Sequence, residues 1–371
     1  MFVVVLRFLI FILILFFLLY NAPKSNSEIK KSFEFPSDYR GIVHLHSELS
    51  HDSNGKLINI YKAAKNNNID FVILTDHWSP ELFKKSYSGF LENILFITGS
   101  EISKNEGVTL LAIPLPEDFV PVNDWRKNID LLHQKGSLAL ASHIEFSKTS
   151  QLANIDGIEI INLHAHILEQ NKFGLTLTYF KALLPWNWDL AYIFNDIPEL
   201  KRWQYLNQNG IIPAFGGNDT HDNYRLFYKI GPKLGSYDNT FKLITTHVWA
   251  NKLTQQSIVE AIKNGQTYFS FEIFGNSNNF RFYALNGENM VLPGKKTLIT
   301  KSDKIILVVQ TPPHKNPENT KIKILRNGKI LKENNGILLK LGVDRPGNYY
   351  VEIWKNEKPW IFSNPIQIRS E

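Results

Sequence analysis

Six short apolar runs in this chain each end at a histidine or an acidic residue, and this recurrence restricts the folds that the chain can adopt. The runs occupy residues 42–46, 71–77, 97–101, 138–143, 158–164 and 214–221. Runs of this length are typical of buried strands, and ligands that recur at strand ends would converge on one pocket. Imidazole and carboxylate groups suit zinc, manganese or iron. The pattern therefore predicts a multi-metal site of the kind that hydrolases use.

The composition narrows the choice of ligands and partners. The chain has 371 residues, enough for two domains, and 43% of them are hydrophobic, which argues against disorder. Its net charge of +6 comes from scattered lysines and arginines rather than from a basic block interleaved with aromatic residues. Nucleic acid is therefore not an expected partner. The chain contains no cysteine, so any metal ligands must be His, Asp or Glu.

The first 20 residues predict export. Residues 8–20 are apolar without interruption, and a further apolar stretch precedes Arg7. This arrangement is typical of a secretory signal peptide, and residues 2–20 also approach the length of a membrane anchor. Pro23 directly after Ala22 makes a poor cleavage signal, which slightly favours retention at the membrane. We expect an extracytoplasmic protein, membrane-anchored or secreted, with residues 21–40 as a polar linker.

Two regions with different patterns follow this linker. In residues 41–275, strand-like runs alternate with helical segments, of which Asp124 is expected to cap one and Thr254 another. Such alternation predicts a mostly parallel sheet or barrel of the α/β class. In residues 276–371, strand-like runs are separated by turns such as Asn327-Gly328, and no helical pattern interrupts them. This second region is predicted to form a small, immunoglobulin-like β-sandwich.

The candidate ligands are spread along the first region. His44 and His46 alternate on one predicted strand, so their side chains would share a face. Asp52 follows in a polar turn and is preferred over its neighbour His51, because adjacent turn residues rarely both coordinate a metal. The remaining candidates each follow a later apolar run: His77, Glu101, His143, His164, Asp219 and His221.

This series of motifs resembles the PHP (polymerase and histidinol phosphatase) family of metallohydrolases. The motifs are, in order, His44-Leu45-His46-Ser47, Asp52, Thr75-Asp76-His77, Gly99-Ser100-Glu101, Ser142-His143 and Asn218-Asp219-Thr220-His221. They span roughly residues 41–274, and an ordered set is far more specific than any one motif. The resemblance implies a distorted seven-stranded (β/α) barrel, up to three metal ions and hydrolysis of phosphate esters. Later segments, such as Thr246-His247-Val248-Trp249-Ala250, look like a carbaryl-hydrolase-like branch in which a C-terminal β-sandwich follows the barrel.

The resemblance also implies how two or three divalent ions of zinc, manganese or iron would be held. One ion would be held by four residues: His44, His46, Glu101 and Asp219. Glu101 would bridge to a second ion, held also by His143 and His164, with His166 as a nearby substitute for His164. A third ion, or part of a two-ion site, would be held by Asp52, His77 and His221. Asp76 is expected to orient His77 or an adjacent ligand rather than to bind a metal itself.

The predicted reaction is attack on phosphorus by a metal-bridging hydroxide, with Asp52 or Asp219 accepting the proton. The substrate is expected to be a small, anionic molecule. The same hydroxide could attack a carbonyl, so hydrolysis of a carboxylic or carbamic ester, or of an amide, is an alternative. An alternative of another class is a membrane-tethered binding protein that acts through the β-sandwich.

Overall fold

The computed structural model describes residues 34–103, 108–147, 152–169, 197–208, 210–223, 225–227, 230–233, 235–300 and 304–371. The predicted export segment, residues 1–20, and most of the predicted linker lie outside these ranges. Residues from Pro36 to Glu371 form one compact unit. Within the described ranges, every helix is too short or too polar to cross a membrane.

The described residues form seven α-helices. They are α1 (Leu57–Asn66), α2 (Leu82–Lys85), α3 (Trp125–Gln134), α4 (Leu163–Glu169), α5 (Pro198–Leu206), α6 (Tyr237–Thr240) and α7 (Gln255–Lys263). Both predicted caps are confirmed. The side chain of Asp124 accepts a hydrogen bond from the amide of Arg126, and that of Thr254 accepts one from the amide of Ser257. A polar side chain at this position satisfies one of the amides that a helix leaves unpaired in its first turn.

The described residues also form 23 strands. Those of the first region are β1 (Ser37–Val43), β2 (Phe71–Leu74), β3 (Gly89–Leu91), β4 (Ile94–Thr98), β5 (Ser100–Ile102), β6 (Thr109–Ile113), β7 (Leu138–Ser142), β8 (Gly157–Asn162), β9 (Ala214–Gly217), β10 (Arg225–Phe227), β11 (Ile230–Lys233), β12 (Ile244–Ala250) and β13 (Thr267–Phe271). Those that follow are β14 (Arg281–Asn286), β15 (Asn289–Val291), β16 (Lys296–Ile299), β17 (Ile305–Gln310), β18 (Thr320–Arg326), β19 (Lys329–Asn335), β20 (Leu338–Val343), β21 (Gly347–Lys355), β22 (Lys358–Ser363) and β23 (Ile366–Ser370).

Two sheets carry most of the first region. A 12-stranded sheet has the order β16-β23-β21-β22-β13-β12-β1-β2-β4-β3. Its other two strands branch from this order, because β18 pairs with β21 and β19 pairs with β18. A five-stranded sheet has the order β5-β6-β7-β8-β9. A four-stranded sheet, β15-β14-β17-β20, and the pair β10-β11 account for the other described strands.

The prediction of a distorted seven-stranded (β/α) barrel is wrong. The chain is rich in strands that lie in large mixed sheets, and the described residues contain no closed barrel. β1 pairs parallel with β2 but antiparallel with β12, and β6 pairs antiparallel with both β5 and β7, whereas a (β/α) barrel has parallel neighbours throughout. Only residues 103–108 join β5 to β6. This connection is too short for a helical crossover, so β6 must return antiparallel.

The predicted boundary between barrel and sandwich is crossed by the largest sheet. β22, from the C-terminal region, pairs antiparallel with β13, from the first region, and aligns Phe362 with Phe269. The C-terminal strands therefore divide between this shared sheet and the four-stranded sheet. Strand patterns in the sequence showed that these strands exist, but not which strand each one would pair with.

Apolar side chains from the two sheets of the first region share one core. Val43 and Ile73 of the 12-stranded sheet lie in the same buried cluster as Leu111 and Leu140 of the five-stranded sheet. Removing these side chains from water is the main force that holds the two sheets in contact. Val43 directly precedes His44, so the candidate ligands begin where this core ends.

Candidate metal centre

Backbone contacts join the two sheets at the strand ends that carry the candidate ligands. The amide of Asp219, after β9, donates to the carbonyl of His44, after β1, at 2.6 Å. His77, after β2, forms an isolated parallel bridge with Glu101 in β5. The ligands are therefore brought together by contacts between two sheets rather than by the rim of one barrel.

Three candidate ligands have a left-handed backbone close to the end of a strand. The φ angles are 63° at His44, 50° at His143 and 49° at Asp219. This conformation is uncommon for residues other than glycine, and such strain costs on the order of 1–3 kcal/mol per residue. Strained backbone of this kind concentrates at functional sites, where the surrounding structure holds it in place.

The side chains of His44 and His46 face the same carboxylate, as predicted, but not because they alternate along a strand. β1 ends at Val43, so the pair does not lie on a strand. The left-handed backbone at His44, rather than the alternation of side chains along a strand, lets both rings face one point. The Nε2 atoms of His44 and His46 lie 3.6 and 3.2 Å from the same oxygen, Oε2 of Glu101.

Glu101 and Asp219 are the central carboxylates of the cluster, and both are buried. Oδ1 of Asp219 lies 3.1 Å from Nε2 of His46 and 3.4 Å from Nε2 of His44. Oδ2 of Asp219 lies 3.4 Å from Nε2 of His143. Each carboxylate thus faces several imidazoles, as a ligand shared between two cations would.

Asp52 lies on the more open side of the cluster. Its Oδ2 is 3.1 Å from Nε2 of His77 and 3.1 Å from Nε2 of His221. Its side chain is 35% exposed, compared with 4% for Asp219. The ring of His51 lies 4.8 Å from that of His77 and is tilted against it by 38°, but among the described residues His51 belongs to none of the groups able to hold a metal ion.

All nine candidate ligands belong to groups whose ligand atoms lie within 4.8 Å of one another. The groups are His46, Asp52, His77 and His221; His44, His143 and Asp219; His44, His46 and Glu101; and His164, Asp219 and His221. These buried or partly buried groups could hold metal ions.

His164 lies in a different group from the one that the resemblance implied. Its Nδ1 is 3.5 Å from Oδ2 of Asp219, and it groups with Asp219 and His221 rather than with His143. His164 is the second residue of α4, directly after β8, so the start of the helix determines where its ring lies. His166 belongs to none of the groups found among the described residues.

Four of the histidines have Nδ1 held by a partner, which leaves Nε2 to face the central carboxylates or Asp52. The partners of Nδ1 are Glu159 for His44 (2.7 Å), Ser50 for His46 (3.0 Å), Glu145 for His143 (3.1 Å) and the carbonyl of Asp219 for His221 (2.8 Å). A metal-binding histidine is usually oriented in this way, because the hydrogen bond at one nitrogen determines the tautomer and leaves the other lone pair free.

Asp76 supports the cluster from behind. Its Oδ1 accepts hydrogen bonds from the amide of Ser47 (2.6 Å) and from the hydroxyl of Ser50 (3.0 Å). The same hydroxyl contacts Nδ1 of His46 and accepts from the amide of His77. Asp76 therefore orients His46 through Ser50, which is consistent with the supporting role expected from the sequence.

Two supporting carboxylates, Glu159 and Glu145, were not singled out in the sequence. Glu159 lies within the fully buried strand β8, and Glu145 lies in the 3-10 turn Ile144–Phe146 that follows His143. A signal for Glu159 was available, because an acidic residue inside a buried apolar run needs a partner to offset the cost of desolvation. Glu145 lies in a loop, where acidic residues are common, so the sequence carried no comparable signal.

The carboxylates hold positive charge on several of the histidines. Burial lowers the pKa of His46, but the close carboxylates of Asp219 and Glu101 raise it to about 9. Burial raises the pKa of Glu101, but His44 and His46 beside it hold that pKa well below its usual range. Burial and the charge of His46 lower the pKa of His221 to about 4. The centre of the cluster is therefore an environment that favours a cation, whether a proton or a metal ion.

Four buried atoms of the cluster have no hydrogen-bond partner among the described residues. They are Nε2 of His44, Nε2 of His46, Oδ1 of Asp52 and Oδ1 of Asp219. An unsatisfied buried polar atom costs about 1–3 kcal/mol, and such atoms are rare in folded proteins. A divalent cation would satisfy imidazole nitrogens and carboxylate oxygens together. This donor set, which lacks thiolates, fits zinc, manganese and iron alike.

No protein-family model matches the chain, and a search of curated proteins finds no match.

Proposed function

We propose that the chain is a metal-dependent hydrolase that cleaves phosphate esters at a centre of two or three divalent cations. The observation that carries this proposal is that nine imidazole and carboxylate side chains, buried or partly buried, form overlapping groups whose ligand atoms lie within 4.8 Å of one another. Four of the buried nitrogen and oxygen atoms in this cluster make no hydrogen bond among the described residues, as ligand atoms of a cation would.

The cluster has a buried side and an open side. The side chains of His44, His46, Glu101 and Asp219 are at most 4% exposed, so they would hold the innermost cation away from bulk water. The side chains of His77, His143 and His164 are between 21% and 23% exposed, and Asp52 is more exposed still. A substrate would approach on this open side.

Bound divalent cations supply Lewis acidity and lower the pKa of water, so that hydroxide is available near neutral pH. The residues of the chain orient the reacting groups and take up the proton. Asp52 is better placed for this than Asp219, whose two oxygens are surrounded by imidazoles. Burial raises the pKa of Asp52, but the neighbouring His221 and His77 lower it, so its carboxylate is ionised near neutral pH.

Two further considerations support phosphate esters as substrates. A pocket that gathers cations attracts small anionic groups. The ordered motifs also resemble those of the PHP family, most of whose characterised members hydrolyse such esters. The closed barrel of that family is not part of the proposal, because the described sheets do not form one.

The test is to assay the purified full-length chain with nitrophenyl phosphate esters and nitrophenyl carboxylic esters, with added manganese or zinc. We expect cleavage of a phosphate ester that chelation abolishes and cation restores. Metal-dependent cleavage of the carboxylic esters alone would instead support the ester or amide hydrolase. Elemental analysis that finds no bound metal after incubation with either cation would contradict the proposal and favour a binding protein.

A further inference from the structure

Glu159 is a buried carboxylate between two strand ends that carry candidate ligands. It lies in β8 and is 1% exposed. It belongs to none of the ligand groups found among the described residues. Because an ionised carboxylate is costly to bury without partners, its contacts indicate its role.

These contacts reach three parts of the metal centre. Oε1 of Glu159 accepts a hydrogen bond from Nδ1 of His44 at 2.7 Å. Oε2 accepts from the amide of His143 at 3.2 Å and from Nδ2 of Asn162 at 3.1 Å. The side-chain oxygen of Asn162 in turn accepts from the amide of Ala165, in the first turn of α4, which carries His164. One carboxylate thus connects the ring of His44, the left-handed backbone of His143 and the start of α4.

The neighbouring strand leaves space for this carboxylate only because residue 217 is glycine. Gly217 of β9 pairs with Asn162 of β8. A Cβ atom on Gly217 would lie 1.6 Å from Oε1 of Glu159 and 3.2 Å from Cβ of His44. Such a distance is impossible, so any larger residue at 217 would displace Glu159.

We propose that Glu159 is the positioning residue of the cation centre, and that it determines cation affinity by holding His44 and His143 in place together. The inference rests on the proposed function, because it requires that the cluster hold cations. Two ligand groups share His44, and one of them also contains His143. Release of Glu159 would therefore disturb both groups. Loss of an outer partner of this kind lowers metal affinity by about 10- to 100-fold.

Three substitutions separate the charge and reach of Glu159 from a general effect of changing a buried glutamate. Glu159→Gln keeps the shape but replaces one oxygen by an NH₂ group, which would face either Nδ1 of His44 or the two donors, the amide of His143 and Nδ2 of Asn162. Glu159→Asp keeps the charge with a shorter reach. Glu352→Gln is the control, because Glu352 is a partly buried glutamate in a strand, accepts from Nε1 of Trp354 at 3.0 Å and lies in no ligand group of the described residues.

The experiment is calorimetric titration of the full-length chain and the three variants with Mn²⁺, with circular dichroism to establish folding. We expect Glu159→Gln to bind Mn²⁺ about 10- to 100-fold more weakly than the wild type. Glu159→Asp should lie between them, and Glu352→Gln should match the wild type. A purely structural role would lower the melting temperature but leave the Mn²⁺ affinity of the folded variant unchanged.

Wild-type affinity in folded Glu159→Gln would overturn this inference and leave the proposed function standing. Should Glu159→Gln not fold, Glu159→Asp decides in the same way, since wild-type affinity in that variant would also overturn it. A wild-type chain that binds neither Mn²⁺ nor Zn²⁺ would overturn the proposed function, and the inference with it.

Discussion

Two buried clusters of histidine and carboxylate lie near opposite ends of β1, and they differ in how their polar atoms are paired. The metal centre follows Val43, at the carboxyl end of the strand. The other cluster, here named the Asp38 network, is formed by Asp38, Arg40, His247, Tyr268, Ser270, Glu272 and Ser277. In the metal centre, one ring nitrogen of each of His44 and His46 has no hydrogen-bond partner among the described residues. In the Asp38 network, both ring nitrogens of His247 have partners.

The Asp38 network pairs charge with charge and donor with acceptor. Nδ1 of His247 lies 2.9 Å from Oδ1 of Asp38, and Nε2 lies 2.9 Å from Oγ of Ser277. The Tyr268 hydroxyl donates to Oδ2 of Asp38 at 2.7 Å, and Arg40 pairs with Glu272 at 3.2 Å. Nε of Arg40 is the one buried side-chain atom of this network that has no hydrogen-bond partner among the described residues.

Spacing alone does not separate a functional cluster from a structural one. Ser277, His247 and Asp38 have the spacing of a nucleophilic triad. However, Ser277 is fully buried, and its hydroxyl is also engaged by Ser270 and Glu272. A network in which almost every polar atom is paired is expected to stabilise the fold, whereas several unpaired nitrogen and oxygen atoms that converge in one cluster are expected to bind a ligand. The following predictions test this distinction.

The largest expected effect is the loss of cation binding and hydrolysis in Asp219→Asn. Asp219 faces the imidazoles of several ligand groups, so its loss should lower cation affinity by more than the ~100-fold typical of an outer partner. Calorimetry and the phosphoesterase assay measure this, with the exposed Asp238→Asn as control. Cation affinity retained in Asp219→Asn would show that this cluster is not the metal centre.

The converse substitution, Glu272→Gln, should destabilise the fold but leave cation binding intact. It removes the carboxylate that pairs with Arg40 and leaves His247 with Asp38 alone of the two carboxylates beside it, and breaking such a buried pair costs about 3–5 kcal/mol. Urea unfolding measures the free energy, and calorimetry on the folded variant measures cation affinity. Weakened cation binding in this variant would show that the two clusters are not independent.

The Asp38 network should also make the free energy of unfolding depend on pH. Burial lowers the pKa of His247, but the charge of Asp38 and hydrogen bonds to Asp38 and Glu272 raise it to about 9. Because this pKa is raised, the stabilisation that charged His247 contributes is complete below its unfolded pKa near 6.5 and is lost as the pH rises through 9. Burial raises the pKa of Glu272, but hydrogen bonding to His247 and the positive charges of His247 and Arg40 lower it to about 2. The stabilisation that ionised Glu272 contributes is therefore complete above about pH 4.5 and is lost only as the pH falls through 2.

Between pH 6.5 and 9 we therefore expect the free energy of unfolding of the wild type to fall, relative to His247→Gln, by on the order of 3 kcal/mol. Urea unfolding of both proteins at both pH values measures this difference. The comparison with the variant is needed because His46 and His143, whose pKa values are also raised to about 9, titrate in both proteins. Parallel pH profiles would show that His247 is not charged in the folded protein.

The smallest expected effect is stabilisation by added cation. A ligand that binds only the folded state at 100 times its dissociation constant stabilises that state by about 2.7 kcal/mol. Mn²⁺ should therefore raise the melting temperature of the wild type and of Glu272→Gln, but not that of Asp219→Asn. Calorimetric scans with and without Mn²⁺ measure the shift. An equal shift in Asp219→Asn would place the cation elsewhere on the molecule.

Local sequence patterns were sufficient for several parts of this structure. The caps at Asp124 and Thr254 were predictable because a capping side chain acts within three residues of its own position. The candidate ligands other than Asp52, which lies in a polar turn, were picked out because they follow short apolar runs, and all nine lie in groups that could hold a metal ion. The grouping of His164 was not predictable, because it depends on where α4 begins relative to Asp219.

The order and type of the chemical groups were determined by the sequence alone: apolar runs that form strands, each followed by an imidazole or a carboxylate, and no thiol. Tertiary structure decided the direction of the strands, the meeting of two sheets in place of a closed barrel, and the role of Glu159 between His44 and His143. It also decided that both ring nitrogens of His247 would have hydrogen-bond partners, whereas Nε2 of His44 would have none among the described residues. The physical reason is range, since burial and capping depend on neighbours in the chain, whereas strand pairing and buried hydrogen bonds can join residues far apart in the chain, such as His44 and Glu159.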